Sequence, residues 1–223
     1  MELCVLASGS GGNSSLLRTP SGCVLIDAGI GPRTAAKRMA GTGCEVADVR
    51  GIVLTHLDRD HFSPTWVATI LRQKILVFVH RRRRGELLEI CGEVEELVRP
   101  FGHQRFEPLP EVGFLPMELA HDDAGSHGFV ICGFGCRIGY ATDLGRVPGY
   151  LVEAFEDLNI LALEANYDPE MQLASGRPMF LKKRIMGGKG HLSNGQALAA
   201  IREILDRAER RGLGMPSEIV LLH

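Results

Sequence analysis

Thr55-His56-Leu57-Asp58-Arg59-Asp60-His61 follows directly on the apolar run Ile52-Val53-Leu54 and sets four metal-capable side chains within six residues. A strand that ends in a loop can turn such side chains toward one point, whereas an ordinary polar turn rarely collects two histidines and two aspartates. Outward from it, short apolar runs alternate with glycine-rich turns. The first half reads as strands at Leu3–Ala7, Ser15–Arg18, Cys23–Asp27, Ile52–Thr55 and Ile75–Val79. Helices are expected at Pro32–Gly41, opened by an N1 proline, and at Pro64–Arg72, behind Ser63 as N-cap.

The second half repeats the scheme. Strands are expected near Met117–Ala120, Phe129–Cys132, Arg137–Ala141, Ile160–Glu164 and Ile219–Leu222, with helices near Leu151–Glu156, Phe180–Ile185 and Asn194–Arg211. Two mixed β/α halves imply an α/β (α+β) fold, a four-layer αββα sandwich with two sheets face to face and helices outside. No proline-rich or low-complexity linker interrupts residues 1–223, so a single domain is expected.

Composition narrows the classes. Of 223 residues, 45% are hydrophobic and 23% charged, enough for a core and unlike disordered, collagenous or coiled-coil chains. Lys plus Arg number 25 against 27 Asp plus Glu, a net charge of −2, so nucleic-acid binding would have to use a local patch. No stretch approaches the ~20 apolar residues of a membrane span, and the N-terminus lacks the basic and apolar regions of a signal peptide. The six cysteines, at 4, 23, 44, 91, 132 and 136, form no CxxC pair. They read as free thiols in a reducing cytoplasm rather than as a thiolate metal site.

The stretch His56–His61 resembles the HxHxDH signature of the metallo-β-lactamase superfamily, with Asp58 where a second histidine is usual. Leu25-Ile26-Asp27-Ala28-Gly29 is similar to that family's early Asp-bearing strand end. His121, Asp143 in Ala141-Thr142-Asp143-Leu144-Gly145, and His223 after Ile219–Leu222 stand where its next metal histidine, bridging aspartate and last metal histidine are expected. Finer matches are Ser8-Gly9-Ser10-Gly11-Gly12-Asn13-Ser14, Leu163-Glu164-Ala165-Asn166-Tyr167-Asp168, Lys182-Lys183-Arg184-Ile185 and Gly190-His191-Leu192-Ser193-Asn194. Together they resemble the YycJ/WalJ-type branch, a bacterial group associated with DNA exonuclease activity. Tyr167 departs from the histidine usual there, and the sequence ends at His223 where that group continues into a short Leu-Ser-containing tail.

The resemblance implies two divalent metal ions. His56, Asp58 and His121 would hold one, Asp60, His61 and His223 the other, with Asp143 bridging and a metal-activated hydroxide as nucleophile. Asp58 makes its site harder, so Mn²⁺ or iron competes with Zn²⁺. His191, with Glu164 fixing its tautomer and raising its pKa, would act as general acid. Asp60 counts with these catalytic groups as well as with the ligands. Asp27 reads as structural, and His80, His103 and His127 as surface or structural residues.

Arg81, Arg82, Arg83 and Arg84 form the one dense basic run, read either as a solvated helix start or as a phosphate track to which Lys182, Lys183 and Arg184 add. The Gly9–Ser14 loop lacks a Walker GK[ST] ending. It reads as a tight turn from which Ser10 and Asn13 could touch substrate.

The function expected is a metal-dependent phosphodiesterase, a DNA exonuclease acting on single- or double-stranded DNA, cytoplasmic, without membrane attachment, and a homodimer by analogy. The alternative is a thioester, lactone or ester hydrolase on the same metals. A redox di-iron centre and a non-enzymatic binding protein weigh less, because no flavin domain is present and every other ligand position is filled.

Overall fold

The apolar runs of the first half become β1 (Glu2–Ala7), β2 (Ser14–Thr19), β3 (Gly22–Ile26), β4 (Val49–Val53), β5 (Leu76–His80) and β6 (Val98–Phe101), one six-stranded sheet in that order. The first three strands pair antiparallel, and β3 to β6 run parallel. The computed structural model describes residues 1–223, which divide into two compact units, Met1–Phe114 and Leu115–His223.

Parallel strands need crossovers, and helices supply them in the first unit. They are α1 (Pro32–Met39), α2 (Val67–Gln73) and α3 (Arg84–Cys91). Pro32 sits at the first helical position of α1, where its missing N–H is no loss, and Lys37 and Arg38 in the last turn complement the helix dipole. Ala35 and Met39 from α1, Ile70 from α2 and Leu87 from α3 pack with Leu25, Ile52 and Val77 of the sheet. Trp66 is fully buried among them, and its indole N–H donates to Ile30 O at 2.8 Å. Truncating it to alanine would cost about 3–5 kcal/mol.

The second sheet is built from β7 (Phe106–Leu109), β8 (Val112–Leu119), β9 (Ser126–Gly133), β10 (Cys136–Ala141), β11 (Ile160–Glu164) and β12 (Glu218–Leu222), in the order β12-β11-β10-β9-β8-β7. β9 and β10 form an antiparallel hairpin, while β10, β11 and β12 run parallel. The second unit's helices are α4 (Gly149–Ala154), α5 (Pro169–Ala174), α6 (Met179–Met186) and α7 (Asn194–Arg210). The capping box of Ser193 and Gln196 opens α7, whose stripe Ala197, Ala200, Ile201, Ile204 and Ala208 is buried. Phe155, Leu161 and Leu163 pack in the same core cluster. The class is α/β with two sheets, each carrying helices.

Several expectations need correction. Cys23 and Cys44 are not free thiols but a disulfide, closed between the start of β3 and the loop after α1. Their separation of 21 residues carried no sequence signal, because the fold brings them together. Cys4, Cys91, Cys132 and Cys136 are free. β6, β7 and α5 had not been expected, α3 begins at Arg84 where a helix start was one reading of the arginine run, and the strand before His56 ends at Val53, leaving Leu54 and Thr55 in the loop.

Candidate metal centre

Where parallel strands end together, their following loops collect on one edge. In the first unit the loops after β3 and β4 carry Asp27 and the Thr55–His61 stretch, and backbone bonds lock these loops together. Ala28 N donates to His61 O at 2.8 Å, Ser63 N to Ala28 O at 2.9 Å, and Asn13 N to Asp60 O at 2.6 Å. The approach is so close that a Cβ on Gly29 would lie 1.7 Å from Asp60 O, which is why that position is glycine.

Asp27 is fully buried in left-handed backbone, with φ of 60°. Its carboxylate accepts from Thr55 N, from Thr55 Oγ1 and from His61 Nδ1, each at 2.8 Å. Burial pushes its carboxyl above the ordinary range, against the pull of His61 and the Thr55 donors. With Asp27 ionised, His61 carries its proton on Nδ1 and its lone pair on Nε2. Thr55 gives its single proton to Asp27, so its oxygen accepts from His56 Nδ1 at 2.9 Å. His56 therefore also has its lone pair on Nε2.

The two imidazoles lie with ring centres 3.9 Å apart. His56 Nε2 is 3.8 Å from Asp58 Oδ2, and His61 Nε2 is 3.8 Å from Asp60 Oδ2. Metal bonds of roughly 2.0–2.2 Å place two donors of one ion at most ~4.4 Å apart. Both pairs meet that condition, and their N,O character suits a divalent cation. Asn13 is buried; its Nδ2 lies 2.9 Å from His61 Nε2 and 3.3 Å from Asp60 Oδ2, while its Oδ1 accepts from Gly9 N at 2.8 Å. These contacts tie Asn13 to two of the candidate metal-ligating side chains. Ser10 is exposed.

The second unit repeats the device. Asp143 follows β10 in left-handed backbone, with φ of 51°, and its carbonyl accepts from the buried Ser126 hydroxyl at 2.6 Å, as that of Asp27 does from Ser14 at 2.9 Å. A Cβ on Gly145 would lie 2.4 Å from Gly188 C, the counterpart of the Gly29 approach. Because β10, β11 and β12 run parallel, Asp143, Glu164 and His223 leave the sheet at the same edge. Thr142 Oγ1 is 3.0 Å from Asp143 Oδ2 and 2.5 Å from His223 O. His121 Nδ1 donates to Gly190 O at 3.0 Å, which puts its lone pair on Nε2.

His191 stands between these groups, its ring centre 5.1 Å from that of His121 and 6.0 Å from that of His223. Its Nδ1 lies 2.6 Å from Glu164 Oε1 and 3.2 Å from Asp143 Oδ1. Glu164 is fully buried, and its other oxygen accepts from Leu144 N at 2.9 Å and Leu192 N at 3.2 Å. Burial alone would lower the His191 pKa, but the Glu164 hydrogen bond and the charges of Glu164 and Asp143 outweigh it and raise the value. The imidazole is thus held with Nδ1 toward two carboxylates and Nε2 as its remaining proton donor.

The basic residues separate by environment. Arg83 pairs with Glu86 and Arg84 with Glu95, each at 2.6 Å. Arg81 lines a cleft of about 350 Å³ with Gly102, His103 and Gln104, and Arg82 is exposed beside it in the same short 3₁₀ turn. Lys182 is buried, its ammonium donating to Leu173 O at 2.5 Å, which makes it a strut between α5 and α6 rather than part of a phosphate track. Arg184 pairs with Asp122 and Lys183 is exposed. His80 and His127 are buried and His103 is exposed.

Residues 23–211 match the family described as Beta-lactamase superfamily domain. The chain is 23% identical over 208 residues to Exodeoxyribonuclease YycJ of Bacillus anthracis, covering 92% of this chain and 78% of that protein. It is 26% identical over 215 residues to Exodeoxyribonuclease WalJ of Streptococcus pneumoniae, covering 94% and 79%. Among solved structures, a diphosphatase from the PhnP family superimposes with a TM-score of 0.69 at 16% identity, covering 99% of this chain and 93% of that one. The chain belongs to the β-lactamase superfamily and is a metal-dependent hydrolase with the metallo-β-lactamase fold.

Proposed function

We propose that this hydrolase is a phosphodiesterase that shortens DNA from an end. The observation that carries the reading is His191, whose Nδ1 is fixed by the buried Glu164 at 2.6 Å and whose pKa the neighbouring carboxylates raise against the effect of burial. Breaking a phosphodiester expels a poorly stabilised alkoxide, and a positioned imidazolium that protonates it contributes roughly 10²–10⁴-fold. The names of the two exodeoxyribonuclease relatives support DNA as substrate.

His56, Asp58, Asp60 and His61 of the first unit, and His121, Asp143 and His223 of the second, are the proposed ligands of two divalent ions. His56, Asp58 and His121 would serve one, Asp60, His61 and His223 the other, with Asp143 shared. When bound, the ions supply Lewis acidity and an activated nucleophile at neutral pH. Asp27, Thr55 and Gly190 fix the ligand tautomers, Asp60 serves as ligand and orienting carboxylate, and Arg81 and Arg82 offer phosphate contacts. Zn²⁺ and Mn²⁺ are the candidate ions, with iron as a third.

The test is end-labelled single-stranded DNA incubated with the protein and with His61→Ala, in Zn²⁺ or Mn²⁺, with products resolved by length. Stepwise shortening that His61→Ala abolishes supports the reading. Intact DNA with both ions shown bound by elemental analysis overturns it and directs attention to thioesters and lactones.

A further inference from the structure

The α5–α6 hairpin of the second unit exposes an unusual set of side chains. Met171 and Phe180 are each 75% exposed, and Leu173 and Met179 are 52% and 57% exposed. These large apolar groups lie within two short helices, and nothing in their own unit covers them. In the same stretch Lys182 is buried and Arg184 and Lys189 pair with Asp122 and Asp123, while Arg177 and Lys183 are exposed cations.

The hairpin is rigidly built. Asp168 caps α5 by accepting from Glu170 N and Met171 N at 2.9 Å. Lys182 Nζ reaches back from α6 to Leu173 O, and Arg177 in the connecting turn donates to Gln172 Oε1 at 2.8 Å. Phe180 and Lys183 stand three residues apart on α6, so aromatic ring and ammonium share one helix face.

The hairpin is also tied to the proposed catalytic groups. His191 N donates to Ile185 O at 2.8 Å, and Arg184 forms a two-pronged ion pair with Asp122, the neighbour of His121. Asp122 N in turn donates to Lys189 O at 2.7 Å.

We propose that the α5–α6 hairpin is a single-strand grip, with Phe180 flanked by Met179 stacking against a base and Lys183 and Arg177 meeting the adjoining phosphates. A surface that is apolar and cationic at once matches a ligand with exposed base faces and a charged backbone. A DNA duplex hides its base faces inside the stack, so the grip selects a frayed or single-stranded end. The inference rests on the nucleic-acid reading and names the form of strand the site takes.

The experiment uses the metal-loaded protein and a fluorescent oligothymidylate with phosphorothioate linkages, which binds without being consumed, read by anisotropy across a salt series. Phe180→Ala should weaken binding about tenfold or more, and Phe180→Trp should restore it. The exposure of Phe180 makes either change harmless to the core. Removing two phosphate contacts, with Arg177→Gln and Lys183→Gln together, should flatten the slope of log affinity against log salt by about 1.4.

Unchanged affinity and slope in these variants overturn the grip, as does a wild-type protein that does not bind. A dimer that Phe180→Ala converts to monomer, with oligonucleotide binding intact, overturns it in favour of self-association. Hydrolysis of unmodified DNA is measured in parallel. Binding lost in the variants, with no DNA cut in either metal, would sustain the grip and sink the nuclease reading, so the two fail separately.

Discussion

His191 Nδ1 lies 2.6 Å from Glu164 Oε1, inside a carboxylate environment that two backbone N–H groups hold in place. The pair joins the end of β11 to the loop before α7, and it sets the proton inventory of the proposed reaction.

The net effect of Glu164 and Asp143 is to raise the His191 pKa above the free imidazole's ~6.5. The acid form should persist to higher pH than that of a free imidazole, and kcat should fall as pH rises through the raised value. Glu164→Gln should move that basic limb toward lower pH in a kcat profile at saturating metal; an unmoved limb would show that another group sets it. The stability linkage has the same sign. The contribution of protonated His191 is complete below about pH 6.5 and is lost as pH rises through the folded-state pKa.

His191→Ala should lower kcat by roughly 10²–10⁴-fold while leaving metal content intact. Elemental analysis of the purified variant decides the role: loss of an ion would make His191 a ligand instead.

Asp27 touches His61 rather than solvent, and its removal should be felt in two places. Asp27→Ala leaves Thr55 N and His61 Nδ1 without their acceptor, which should cost about 3 kcal/mol in denaturant unfolding. Losing the carboxylate that fixes a ligand tautomer should also weaken metal binding about 10–100-fold, measured by calorimetric titration. Stability lost without any change in metal affinity would confine Asp27 to scaffolding.

Asp58 stands 3.8 Å from His56 Nε2 and gives that pair a hard oxygen donor. The wild-type protein, purified without chelators, should hold more Mn²⁺ or iron relative to Zn²⁺ than Asp58→His does. Stoichiometric zinc in both proteins would refute the preference.

Much was legible in the residues themselves. The short apolar runs and the glycine-rich turns between them marked most strands, because run length and turn chemistry are local. The cluster from His56 to His61 announced metal chemistry because four donors lie within one loop. What sequence could not show was every relationship made across long separations. Asp27 looked like a strand end, yet it lies 34 positions from the imidazole it orients. Gly190 O fixes His121 from 69 positions away, and Cys23 meets Cys44 through a turn and a helix. Lys182 and Lys183 are neighbours in sequence, but one is a buried strut and the other an exposed cation, because a helix turns successive side chains ~100° apart. The types of donor are written along the chain. Which nitrogen keeps its lone pair, and which cation still faces solvent, depends on partners that only packing brings within hydrogen-bonding distance.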